Sequence, residues 1–142
     1  MKVYSATDVG QKRKMNQDYV FTSEDAVGNL PNLFVVADGM GGHNAGDFAS
    51  SHAVEILVDE IRKDADYNPV KVIRHAIETA NTEIIEQAQK DESLRGMGTT
   101  MVVSTIVGQY ALSLIHISFG SDSDSGVFLP ESYVELAGSA GI

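Results

Sequence analysis

Apolar residues recur along this chain in two rhythms, and the changes of rhythm mark out its elements. Val70, Ile73, Ile77, Ala80, Ile84 and Ala88 follow one another at steps of three and four, the spacing that lines one face of a helix. Glu78, Glu83 and Glu86 mark its solvated face, and Pro69 stands where a first-turn proline belongs, so the pattern predicts a helix over Pro69–Lys90. Ahead of it, Ala45–Arg62 carries Phe48, Ala49, Ala53, Ile56, Val58 and Ile61 among polar residues and predicts another amphipathic helix. Elsewhere the apolar runs are short, β-branched or aromatic, and bounded by turn residues, as strands are. They are Val3–Thr7, Tyr19–Thr22, Leu33–Ala37 and Met97–Val107, the last entered through Gly98. Strands, then helices, then a strand again make grouped rather than alternating elements, which predicts an α+β layer fold on an antiparallel sheet.

The Leu33–Ala37 run stops at Asp38, and Gly39, Gly41 and Gly42 follow at once. Asn44 suits an N-cap, with Asp47 three residues on near the positive end of the helix entered there. The spacing G-x-G-G-x-x-x-G fits neither the dinucleotide fingerprint nor the P-loop, and no Lys-Ser/Thr follows. Asp38 would also oppose a bare pyrophosphate, whereas a hard divalent cation takes carboxylate, carbonyl and water oxygens together. An Asx-type hydrogen bond opening a turn accounts for the same acid, and the stretch by itself leaves both readings open.

Asp18 heads the Tyr19–Thr22 strand, so if these strands neighbour one another both carboxylates face one site. Arg13, five residues earlier in the polar loop Gln11–Asp18, carries a guanidinium suited to bidentate phosphate binding. Flanked by Lys12 and Lys14, it reads equally as part of a solvated basic loop. His52 reads as a packed or exposed helix residue. His75, with no acidic or histidine partner at ligand spacing, is given no role.

Composition narrows the classes. A length of 142 residues suits one domain, and a 43% hydrophobic fraction allows a sizeable core. A net charge of −10 argues against nucleic acid or an anionic membrane as partner and fits a protein that binds cations. With no cysteine, disulfides and thiolate metal sites are excluded, and a cytoplasmic location is expected. The N-terminus lacks an apolar signal stretch, and no run reaches membrane-spanning length.

Arg13…Asp18, Asp38-Gly39-Met40-Gly41-Gly42-His43 and Met97-Gly98-Thr99-Thr100 occur in that order. With these motifs the chain resembles the metal-dependent serine/threonine phosphatases of the protein phosphatase 2C type, in their short bacterial form, over about Met1 to Val107. The resemblance implies a β-sandwich flanked by helices. This chain would hold a partial sandwich, with two long antiparallel helices packed on one sheet. It implies a pair of Mn²⁺ or Mg²⁺ ions, with Asp38 bridging both, Gly39 lending its carbonyl, and Asp18 joining or hydrogen-bonding the metal-bound waters. Arg13 takes the part of the phosphate clamp. The implied reaction is hydrolysis of phosphoserine and phosphothreonine on proteins, the targets of a serine/threonine kinase, by a water that the metals activate. Some members place a leaving-group histidine two residues after the bridging acid; that place is Met40 here. His43, in the same loop, is the candidate for that role, beside its reading as a structural loop residue.

Beyond Val107 the resemblance thins. Gly120-Ser121-Asp122-Ser123 only loosely echoes the family's Gly-Asp-Ser-Arg turn, and no Lys or Arg occurs after Arg95. Leu112–Ser118 resembles one reading frame of a transposon-end adapter used in sequencing libraries. The expectation is therefore that residues 1–110 are the N-terminal part of a phosphatase-2C-like catalytic domain and that 111–142 form a non-family, chimeric tail. The alternative is a divergent natural tail in which Asp122 or Asp124 replaces a ligand, although a flexible Ser/Asp turn accounts for that cluster too. Asp38, Gly39 and Asp18 alone supply few oxygens for two ions, so weak metal binding and little activity are expected of the chain as written. The strand faces at Leu33–Ala37 and Met97–Val107 are expected to lie uncovered. A non-catalytic pseudophosphatase or interaction module is the competing reading.

Overall fold

The computed structural model describes residues 18–42, 45–119 and 133–137. In chain order the elements are β1 (Asp18–Ser23), β2 (Leu33–Met40), α1 (Ala45–Lys63), α2 (Pro69–Lys90), a 3₁₀ turn at Glu92–Leu94, β3 (Gly98–Val107), β4 (Tyr110–Phe119) and β5 (Tyr133–Ala137). The strands form one sheet in the order β1-β2-β3-β4-β5, every adjacent pair antiparallel, and both helices pack on it. The α+β expectation holds. The Val3–Thr7 strand lies outside the described residues.

Period-two alternation divides the sheet into a covered and an open face. Leu33, Val35 and Ala37 of β2, Met101 and Val103 of β3, and Leu112 and Leu114 of β4 are buried. Leu57 and Ile61 of α1 and Ile73, Ile77 and Ile84 of α2 are buried with them in one core. The buried set of α1 includes Val54 and Leu57, which the single predicted stripe omits. That helix packs on both the sheet and α2, so its apolar arc is wider than one stripe. Helix α2 starts and ends where predicted, because the Asn68 carboxamide caps it, accepting from the backbone N–H of Val70 at 3.0 Å and of Lys71 at 3.4 Å.

Strand β2 departs from the prediction. It does not stop at Ala37 but continues through Asp38, Gly39 and Met40, which pair with Thr100, Thr99 and Gly98 of β3. Asp38 is thus an in-strand residue and not the first residue of a turn. The far end of β2 is pinned by Asn32, just ahead of Leu33. Its side-chain amide donates to the Ile106 carbonyl at 2.9 Å and accepts from the Ile106 N–H at 2.7 Å, which extends the ladder through a side chain. The Thr105 hydroxyl donates to the Asn32 carbonyl at 2.8 Å and lies 3.2 Å from the carboxamide oxygen.

On the open face, Val20 of β1, Val36 of β2, Val102 of β3 and Ile115 of β4 are register partners in one row. Val36 is 52% exposed, Val102 38% and Ile115 37%. Among the described residues this row is an exposed apolar stripe. Tyr110, where the sequence reading sets its boundary, begins β4, a strand that pairs with β3 along its length.

Candidate metal site

Asp18 and Asp38 are directly opposite each other across the β1–β2 pair. Thr100 stands opposite Asp38 on the other side. Residues directly opposite in an antiparallel pair project to the same face, with Cβ atoms about 4.5–5.5 Å apart. Asp38 lies two residues from Val36, so both acids belong to the open face, away from the helices. The sheet register thereby brings together carboxylates that are 20 residues apart in sequence (38 minus 18).

The backbone beside them is held from below. Thr99 is fully buried, and its hydroxyl lies 3.2 Å from the Asp38 carbonyl oxygen and 3.0 Å from that of Thr100, donating to them. Successive carbonyls of a strand point to opposite sides. With the Asp38 carbonyl turned toward β3, the Gly39 carbonyl is turned to the opposite side of the strand. Gly41 has φ +145, and a Cβ there would meet the Ala45 Cβ at 2.9 Å and the Gly46 nitrogen at 3.1 Å. Only glycine therefore lets β2 turn this closely into α1. Asp47 lies in the first turn of that helix, as expected from the sequence.

Of the five site residues expected from the sequence, the structure brings Asp18, Asp38 and Gly39 together, while Arg13 and His43 lie outside the described residues, as does the Asn44 cap. Among the described residues no group of three or more His, Asp or Glu gathers as a metal cage. The donors that do gather are all oxygens, the set a hard divalent cation selects. Like charges directly opposite across a strand pair are unfavourable, and a doubly charged cation between them reverses that sign. The residues fit such an ion.

Other candidates resolve differently. His52 is a packed helix residue, as expected, stacked on Phe48 with ring centroids 4.9 Å apart. It borders a groove of about 470 Å³ shared with Tyr19, Phe21, Asp59 and Arg62. Tyr19 and Phe21 alternate with the acid-bearing positions of β1, so this groove is on the helix side of the sheet and not at the carboxylates. His75 is not without an acidic partner: its Nδ1 is 3.0 Å from Asp64 Oδ2. Sequence spacing missed this pair because Asp64 lies in the linker between the helices and not on α2 itself. The Asp66 backbone N–H, and then the His75 side chain, hold the Asp64 carboxyl below its ordinary value of 3.8. Thr99 was also missed as a separate contributor. Its only sequence signal is its place in Met97-Gly98-Thr99-Thr100, directly opposite Gly39.

Comparison with known proteins places these features in context. Residues 9–120 match the family described as protein phosphatase 2C. The protein phosphatase PhpP of Streptococcus pneumoniae serotype 2 (strain D39 / NCTC 7466) is 39% identical over 140 residues, covering 96% of this chain and 54% of that protein. The chain thus spans about half the length of the curated relative it matches. The crystal structure of the serine/threonine phosphatase Stp1 from Staphylococcus aureus superposes with a TM-score of 0.66 at 28% identity, over 78% of this chain and 44% of that one. The catalytic domain of the serine/threonine phosphatase PstP, solved in complex with two manganese ions, shares the fold with a TM-score of 0.69 at 20% identity, over 93% of this chain and 70% of that one.

Proposed function

The chain belongs to the protein phosphatase 2C family, and from that premise we propose that it carries part of the metal site of a phosphoprotein phosphatase acting on phosphoserine and phosphothreonine. The observation that supports this reading best is the direct cross-strand pairing of Asp18 with Asp38 on the open face of the sheet. Asp38 and the Gly39 carbonyl hold the ions, Mn²⁺ or Mg²⁺, and Asp18 orients the water around them. Bound divalent ions of this kind acidify water and draw charge from phosphate oxygens. Arg13 clamps the phosphate through its guanidinium, and His43 protonates the leaving serine or threonine oxygen. Both of these roles rest on the resemblance. The substrates are phosphorylated proteins made by a serine/threonine kinase, and the setting is the cytoplasm. No helix among the described residues is long and apolar enough to cross a membrane.

Two carboxylates and one carbonyl are few ligands for a pair of ions. The reading therefore includes weak Mn²⁺ binding and slow turnover for this stretch alone. That ligand count is also what favours a second reading, a non-catalytic interaction module that keeps the helices and the phosphate-facing loop. The domain reading proposed from the sequence, residues 1–110 as family catalytic domain and 111–142 as a chimeric tail, goes with both. Sequencing the locus from intact genomic DNA tests it, and an uninterrupted frame through Ile142 defeats the chimera.

Calorimetric titration with Mn²⁺ and phosphate release from a phosphothreonine peptide, each run on the chain and on Asp38→Ala, separate the two functions. Mn²⁺ binding that disappears in the variant supports the metal site, and turnover lost with it supports catalysis. Titrations that are flat for both proteins would overturn the metal site and leave the interaction module.

A further inference from the structure

We propose that Thr99 is a positioning residue of this site: its buried hydroxyl fixes the Asp38–Gly39 peptide so that the Asp38 carboxylate and the Gly39 carbonyl are presented together. The inference rests on the reading that Asp38 and Gly39 hold the ion.

Glycine is an awkward ligand. Its carbonyl is as good an acceptor as any other, but without a Cβ its peptide has no side-chain packing to hold it and a wide range of accessible φ/ψ. The strand ladder holds Gly39 in part, and the residue directly opposite it on β3, Thr99, adds a side-chain hold. Thr99 is fully buried, and its hydroxyl reaches the Asp38 carbonyl across the strand pair at 3.2 Å and the next carbonyl of its own strand, that of Thr100, at 3.0 Å. One hydroxyl proton is shared between those two oxygens. If burial were the only requirement, the Thr100 carbonyl would satisfy the hydroxyl, or valine would fill the same volume without a polar group. The second acceptor gives the hydroxyl a further effect. It holds the peptide that joins the acid to the glycine, and it does so from the helix side, out of reach of solvent. That peptide is the link between the two donors: the carboxylate hangs from the Cα on one side of it, and the Gly39 carbonyl, part of the next peptide, follows the Cα on the other, so losing the bond loosens their spacing.

The test uses the full chain with Thr99→Val and Thr99→Ser. In metal-free protein, amide hydrogen exchange at Gly39 and Met40 is compared with that at Val35 and Val103. Mn²⁺ affinity is then measured by the electron paramagnetic resonance signal of the free ion, and unfolding by urea. Thr99→Val is expected to speed exchange at Gly39 and Met40 but not at the reference positions. It is expected to weaken Mn²⁺ binding by roughly tenfold, the low end for loss of an outer-shell partner. Thr99→Ser, which keeps the hydroxyl, restores both. Exchange that is unchanged, or that rises equally along β2 and β3, overturns the proposal, as does failure of serine to restore it. A local, serine-rescued change in exchange with no Mn²⁺ binding by any of the three proteins upholds the positioning role and overturns the metal reading instead.

Discussion

Truncation of the Asn32 side chain is the perturbation that most directly probes what fixes β2 against β3. The Asn32→Ala variant removes the donor to the Ile106 carbonyl at 2.9 Å, the acceptor for the Ile106 N–H at 2.7 Å, and the long contact with the Thr105 hydroxyl at 3.2 Å. At a net value of about 1 kcal/mol per hydrogen bond, the first two and a fraction of the third come to roughly 2–3 kcal/mol. Asn32 is 7% exposed, so water replaces these partners only in part, which places the expected cost nearer the upper figure. A loss of that size is a large fraction of the roughly 5–15 kcal/mol that stabilises a domain. The Thr105→Val variant removes the 2.8 Å bond to the Asn32 carbonyl and keeps the volume, so it should cost about 1 kcal/mol. The two side chains share only the 3.2 Å contact, and the double variant should be close to additive, with a coupling under about 0.5 kcal/mol. The chain has no tryptophan, so urea unfolding is followed by far-ultraviolet circular dichroism, with an unchanged m-value as the check that only stability moved. A cost below about 1 kcal/mol for Asn32→Ala, or a larger cost for Thr105→Val, would refute the idea that this clasp fixes β2 against β3.

Two further outcomes follow from the same structure. Asp64 has its carboxyl held below 3.8, first by the Asp66 N–H and then by His75. A depressed folded value means stability that is present above 3.8 and lost as pH falls from there through the folded value. Asp64→Asn should therefore lower the urea midpoint at neutral pH, and the gap to the wild-type chain should close under acid conditions below that window. Strand β4 can be tested by neighbouring substitutions: Leu114→Ala, at a fully buried position, should cost about 2–5 kcal/mol, while Ile115→Thr, 37% exposed, should stay within about 0.5 kcal/mol. The reverse order of effects in urea unfolding would place β4 one residue out of register.

Much of this architecture was legible because local signals and tertiary demands agreed. Asn68-Pro69 and an unbroken three-and-four spacing set both ends of α2. In α1 they agreed less well, since Val54 and Leu57 are buried by the approach of a second helix that no local pattern announces. The last part of β2 was illegible for a different reason. Asp38-Gly39-Met40-Gly41 has the composition of a turn, and Asp38, Gly39 and Met40 become strand because β3 supplies partners for all three and β1 a second partner for Asp38. That extension is also what puts Asp38 opposite Asp18, so the feature that sequence reasoning missed is the one that assembles the site. Leu112–Ser118 shows the converse. Its alternation of residues places Leu112 and Leu114 inward and Ile115 outward, so the stretch is competent to form a strand whatever its origin.

The acids and the apolar row of the open face sit one pleat repeat apart, since Val36 and Asp38 are alternate residues of β2, about 7 Å along the strand. Any roof that settles over Val36, Val102 and Ile115 therefore also dries the space above the carboxylates. Attraction between two unit charges about 4 Å apart grows from about 1 kcal/mol in water to about 4 kcal/mol near a partly desolvated surface. In the proposed metal site, the hold of Asp18 and Asp38 on a cation would therefore depend on hydrophobic neighbours that never touch the ion as well as on the carboxylates.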